Sequence, residues 1–382
     1  MSRRYDWLIV GAGFTGAVAA ERLARGLDQR VLVIDRRDHI GGNAHDRLNA
    51  AGHLIHPYGP HIFHTNSQRI FEYLGRFTDW RPYFHHVRAH VDGQFIPLPF
   101  NLNAVQMLFP PGMAERLSER LIATFGFGAR PTIDDLRQAA AEADLTFLAD
   151  YVFDRVFLHY TTKQWGLTPD ALDASVTARA PLAINRDDRY FADRYQAMPG
   201  DGYTALFERM LDHPNIHVSL NTALSEVSPS AFDRMVYCGA LDEYFDCSAG
   251  ALPYRSLRFD HRVIDAEEGQ PVGTINYPNA FDFTRVTEFR HLTAQRGQTT
   301  ATVTEYPCAY EPGVNEPYYP IPSPTTRERA GAYRAMAASL EGKVWFAGRL
   351  ADYRYYNMDQ AVGRALSLVE KSLAPAILKA AA

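Results

Sequence analysis

The chain has 382 residues, 46% hydrophobic and 22% charged, with a net charge of −5. That length implies two or three units rather than one core. The charge, spread without a basic stripe, excludes a nucleic-acid surface but allows an anionic small substrate gripped by a few arginines. Cys238, Cys247 and Cys308 form no CxxC pair, which excludes a disulfide framework and suits a reducing cytoplasm, and no apolar run approaches the roughly 20 residues that cross a bilayer.

Asp6-Trp-Leu-Ile-Val10 reads as a short buried strand, so no leader is expected ahead of it. Gly11-Ala-Gly13-Phe14-Thr15-Gly16 follows, then apolar residues at helical spacing up to Gly26, then a second strand, Val31–Ile34, ending at Asp35. This is the βαβ opening of a dinucleotide-binding domain. Gly11 permits the tight turn, Gly13 admits a pyrophosphate to the backbone, and Gly16 brings the helix close to the strand. The helix amino terminus offers N–H groups to phosphate. Asp35, nineteen residues after Gly16, stands where a carboxylate binds ribose hydroxyls.

Residues 81–180 read as mostly helical, with Asp134–Ala143 favouring helix by propensity. Val272–Asn276, Thr284–Phe289 and Thr300–Tyr306 are β-branched and alternating, as in an antiparallel sheet. Prolines then punctuate 307–324, a helix is expected from about Thr325 to Leu340, and Lys343–Ala347 reads as a strand ending at Gly348. Met358, Ala361, Val362, Ala365, Leu366 and Val369 form the apolar stripe of a closing helix, with Asn357 as its N-cap and Gln360 three residues on.

After the second strand comes Arg36-Arg-Asp-His-Ile-Gly41-Gly42-Asn43. A Gly-Gly pair just past the ribose acid resembles the FAD-binding fold of the glutathione-reductase type, its amine-oxidase-like members especially. That resemblance puts Gly41, Gly42 and Asn43 near the diphosphate and flavin. It also aims the amino terminus of the closing helix at the flavin pyrimidine edge, where reduced flavin carries negative charge. The expected fold is therefore α/β: a discontinuous FAD-binding Rossmann-like domain from 1–80, 195–250 and 320–382, a helical insertion at 81–180 with a mobile substrate loop at about 166–185, and an antiparallel-sheet substrate domain from 181–194 and 251–319.

Tyr58-Gly-Pro-His-Ile-Phe-His-Thr65, Tyr160-Thr-Thr-Lys-Gln-Trp-Gly166, Tyr318-Tyr-Pro-Ile321 and Gly348-Arg-Leu-Ala-Asp-Tyr-Arg-Tyr-Tyr-Asn-Met-Asp359 resemble the bacterial UDP-galactopyranose mutase family, from Tyr5 to about Leu373. The resemblance implies interconversion of UDP-galactopyranose and UDP-galactofuranose, a redox-neutral ring contraction in which reduced FAD acts as the N5 nucleophile. It implies a homodimer and a reductant such as NAD(P)H. Arg179, Arg285 and Arg349 match the family's active-site arginines, Arg179 on a closing loop. Phe157, Tyr160, Trp165, Tyr190, Asn276, Tyr319 and Tyr355 match residues around uracil, phosphate and sugar. His61 and His64 fall close to flavin and sugar, where donor hydrogen bonds or proton shuttling would suit histidine. Ile62, Arg36, Arg255, Gly348, Asn357 and Met358 fall to the cofactor. Many relatives carry aspartate where this chain has Asn357, and glutamate where it has Asp35. The HxxH spacing of His61 and His64 lacks the acids or cysteines a metal would want, so no metal is expected. The cofactor motifs alone would equally serve a flavin-dependent amine oxidase-like oxidoreductase, which would want an apolar cage rather than converging arginines.

Overall fold

The computed structural model of the chain describes residues 4–139, 143–168, 182–321 and 323–381. They divide into two units. The first comprises Met1–Pro82, Asp193–Tyr254 and Pro317–Ala382, and the second Tyr83–Ala192 and Arg255–Glu316.

The first unit is built on a five-stranded parallel sheet in the order Ile216–Ser219, Val31–Ile34, Tyr5–Val10, Phe232–Tyr237, Val344–Phe346. Strands covered on both faces need apolar side chains throughout, so they read as runs rather than alternations. Trp7, Leu8, Ile9, Val31, Val33 and Ile34 are accordingly sealed from solvent. The helices Phe14–Leu27 and Met358–Leu368 pack on each other, the latter burying Val362, Ala365 and Leu366. A small antiparallel sheet has Tyr195–Pro199 between Phe63–Thr65 and Trp80–Pro82.

In the second unit, strands lie in the order Tyr254–Ile264, Thr300–Ala309, Arg285–Glu288, Thr274–Asn276, Val87–Val91, Gln94–Leu98. All neighbours are antiparallel except Thr274–Asn276 beside Val87–Val91. The helices between Leu102 and Leu158 share one hydrophobic core that includes Leu117, Leu136, Leu148 and Phe157.

Two features differ from the sequence expectation. The stretch 81–180 opens with a hairpin, Val87–Val91 and Gln94–Leu98, rather than with helix. Val87, Ala89 and Val91 alternate inward with Arg88 and His90 between them, and Asp92 and Gly93 both take positive φ, +48° and +81°, in the two-residue turn. Asp-Gly between alternating apolar residues is a strong hairpin signal, readable in the sequence. The helices and the antiparallel strands also belong to one unit rather than two.

Candidate active site

In the first unit, the glycine turn is a close-packed cradle. A Cβ on Gly16 would lie 1.9 Å from the carbonyl oxygen of Gly11, so no other residue fits there without moving the backbone. Gly42 has φ +56°, and a Cβ on it would sit 3.0 Å from the Cα of Gly13. The two glycine segments are thus pressed together, and the Gly41 N–H donates to the Ala12 carbonyl at 2.9 Å. Asp35 is held by backbone donors: Ala12 N–H reaches one oxygen at 2.8 Å and Arg37 N–H the other at 3.0 Å. Arg37 donates to Asn43 Oδ1 at 3.0 Å, and Arg36 faces Glu243 at 3.9 Å. Gly13 is the N-cap of the Phe14–Leu27 helix and has no side chain to offer, so its first-turn N–H groups are left for a ligand, beside the buried Phe14 and Thr15. A bare cradle with an oriented carboxylate at the end of the second strand fits a dinucleotide.

The loop from Gly348 to Asn357 is tied to the helix that follows. Asp352 accepts from Arg364 at 3.1 and 3.2 Å, from Tyr356 at 3.2 Å and from Gly348 N–H at 3.0 Å. Above that base, Arg349 lies 5.9 Å from the Tyr319 ring centre, and Tyr319 stacks with Tyr355 at 5.8 Å. Asn357 caps the helix through its backbone, its N–H donating to Gln360 Oε1 at 3.0 Å, while its own side chain makes no cap bond. Met358 is the first helical residue.

His61 and His64 flank Ile62 in different settings. His61 Nδ1 contacts the Gly59 carbonyl at 2.8 Å, and its backbone N–H donates to His56 Nδ1 at 3.0 Å. Burial, then the neighbouring His56 and Arg349, drive the His61 pKa down to about 3, against the Gly59 carbonyl. His61 is therefore neutral at physiological pH. A carbonyl can only accept, so the ring proton is on Nδ1 and Nε2 presents a lone pair. His61 is thus a hydrogen-bond donor through Nδ1, and desolvation outweighs the contacts that favour its charged form. His64 Nδ1 lies 2.8 Å from Asp193 Oδ2, and Asn66 donates to the other oxygen of Asp193 at 2.8 Å.

The second unit gathers a different set. Glu305, Arg285 and Asn276 are direct cross-strand neighbours, three in a row across the sheet. Such partners share a face. Arg285 Nη2 donates to the Tyr160 hydroxyl at 2.8 Å, and its Nε lies 3.5 Å from Glu305. Burial raises the Glu305 pKa, with Arg285 opposing. Asn276 is buried, and its Oδ1 has no hydrogen-bond partner among the described residues. A buried acceptor left open in this way can take a donor from water or from a bound molecule. Trp165 is buried at the end of the helix His159–Trp165. Arg255 donates to that helix's last carbonyls, Lys163 and Gln164, both at 3.2 Å. Phe157 packs in the helical core near Phe153, at the π-helical turn Phe153–Leu158. Tyr190 stacks edge-on with His85 and Phe191. Arg179 lies outside the described residues, as does most of the expected loop at 166–185. Asp193 and Glu305, which hold His64 and Arg285, meet those partners only through the fold, and no local motif marks either. Asp352 differs: it lies four residues after Gly348, within the family-like stretch from Gly348 to Asp359, although the sequence assigns it no role of its own.

Two family models match the chain: UDP-galactopyranose mutase over residues 155–355 and an NAD(P)-binding Rossmann-like domain over 9–77. A Klebsiella pneumoniae protein described as "Probable UDP-galactopyranose mutase" is 34% identical, covering 96% of this chain and 94% of its own length. An Escherichia coli dTDP-fucopyranose mutase is 33% identical, with 95% and 97% covered. A crystal structure of reduced UDP-galactopyranose mutase superposes with a TM-score of 0.76 over 97% of this chain and 94% of that one, at 16% identity. A putrescine oxidase structure also superposes, at 0.60 over 97% and 99%, so the fold is common to oxidases and mutases. Sequence separates what the fold leaves joined, and by its matching residues the chain belongs to the UDP-galactopyranose mutase family.

Proposed function

We propose that the chain interconverts UDP-galactopyranose and UDP-galactofuranose, a ring contraction without net oxidation. The observation that carries the reading is the Arg285, Tyr160 and Asn276 cluster. It pairs an oriented guanidinium, suited to a diphosphate, with a buried amide oxygen that lacks a donor. A sugar hydroxyl or a uracil N–H supplies that donor. Arg349, with Tyr319 and Tyr355 stacked beside it, is a second oxyanion-binding group, and Arg179 completes the set by its family position. Each guanidinium steadies the charge that grows on a departing nucleoside diphosphate.

The cradle of Gly11, Gly13 and Gly16 would hold the pyrophosphate of FAD, Asp35 its ribose, and Gly41 to Asn43 the backbone path toward the flavin. Reduced FAD, when bound, supplies the electron-rich centre that lets a sugar rearrange without losing electrons. Neutral His61 accepts a hydrogen bond there without adding a charge. On the same family grounds the working enzyme is a cytoplasmic homodimer recharged by NAD(P)H or another reductant.

The dTDP-fucopyranose mutase relative supports a second substrate pair, with thymine for uracil and no 6-hydroxyl. Anaerobic, dithionite-reduced protein incubated with UDP-galactofuranose is expected to yield UDP-galactopyranose by chromatography, and oxidised protein none. Conversion of dTDP-fucofuranose alone would select the second substrate. Conversion of neither, with oxygen uptake on an amine, would overturn the mutase reading.

A further inference from the structure

Lys163 makes a set of contacts that the proposed chemistry does not use. Its Nζ is surrounded by backbone carbonyls of one loop: Tyr277, Phe283 at 3.0 Å, Phe281 at 3.3 Å and Ala280 at 3.4 Å. An ammonium has three donors and no acceptor, so a ring of carbonyls from a single turn suits it as a template suits a cast. Asn279 adds a second tie, its Nδ2 donating to the Arg155 carbonyl at 2.8 Å.

That loop joins the strand ending at Asn276 to the strand beginning at Arg285, and those two residues are paired across the hairpin. Lys163 stands three residues after Tyr160 on the helix His159–Trp165, so both side chains leave the same face. One helix face therefore meets the hairpin twice, through Tyr160 at Arg285 and through Lys163 at the turn. Phe281, inside the caged turn, has φ +66° and is 61% exposed. A phenylalanine in that backbone region is strained, and such strain persists only where surrounding contacts impose it.

We infer that Lys163 is a positioning residue, whose ammonium shapes the 277–283 turn and thereby sets Asn276 and Arg285 for the nucleotide sugar. The inference rests on the reading that Arg285 grips the diphosphate. Burial also brings the Lys163 pKa down to about 8, with Asp282 opposing, which agrees with an ammonium set into protein rather than solvent.

The test is a double-mutant cycle read by titration calorimetry of UDP on flavin-loaded protein. Arg285→Ala and Lys163→Met are each expected to raise the UDP Kd, Lys163→Met by about tenfold, and the double variant should lose less affinity than the two single losses combined. Additive losses would mean that Lys163 merely stabilises the fold, and would overturn the inference. So would unchanged affinity in Lys163→Met. Unchanged affinity in Arg285→Ala would instead overturn the reading beneath it, and the inference with it. If Lys163→Met does not fold, Lys163→Arg serves. Its planar fork cannot seat among four converging carbonyls, and a rise of about threefold in Kd is expected. Wild-type affinity in Lys163→Arg would overturn the inference.

Discussion

The two units build their binding surfaces from different materials. In the first, the cradle is backbone: glycines pressed together at Gly16 and Gly42, open helix N–H groups, and Asp35 held by two main-chain donors. In the second, the cluster is side chains brought from three strands and a helix, with Arg285 held by Tyr160 and Glu305. A backbone site tolerates almost no added volume, because main chain cannot rotate away. A side-chain site degrades by degrees, because each hydrogen bond is one modest contribution among several.

The sharpest way to break this contrast is Gly16→Ala. One methyl at 1.9 Å from the Gly11 oxygen must displace main chain, at a cost of more than about 4 kcal/mol. Purified variant should be colourless and should not take up FAD on reconstitution, as read by its visible spectrum. Full flavin content would show that the cradle is looser than its geometry states.

Tyr160→Phe should have a smaller effect. It removes the hydroxyl that accepts from Arg285. A net loss of about 1 kcal/mol corresponds to roughly fivefold weaker UDP binding. Flavin content should be unchanged. An effect as large as that of Arg285→Ala would mean that the second site is as unforgiving as the first.

The smallest expected effect tests whether reliance on polar side chains extends across the second unit. His291 lies 3.5 Å from buried Glu288, which also accepts from the N–H of Gly269 and Gln270. Glu288 raises the His291 pKa above 6.5, with burial opposing. Burial would raise Glu288, but its hydrogen bonds, that of His291 foremost, hold it below 4.5. The depressed carboxylate contributes fully above 4.5 and loses its contribution as pH falls through its folded value. The raised imidazole contributes fully below 6.5 and loses its contribution as pH rises through its own. Wild type should therefore exceed His291→Gln most between pH 4.5 and 6.5, by about 1 kcal/mol or roughly 1 °C in Tm. A difference flat across pH would show that the pair adds nothing.

The same contrast explains what is legible in the chain before it folds. The cofactor cradle is legible because it is local: strand, glycines, helix, strand and Asp35 lie within about thirty residues, and each has a conformational reason to be there. The Asp92-Gly93 hairpin signal is just as local, but the helix-favouring residues beyond Leu102 dominate the composition of 81–180 and mask it. Sequence alone thus determined the nucleotide-binding opening, the closing helix and, through the run of matching motifs, the family. Only the tertiary structure decided that Glu305 and Asn276 flank Arg285, that Asp193 backs His64, that burial keeps His61 neutral, and that Lys163 sits in a ring of carbonyls. Those outcomes depend on register between distant strands and on desolvation, neither of which any short stretch of chain encodes.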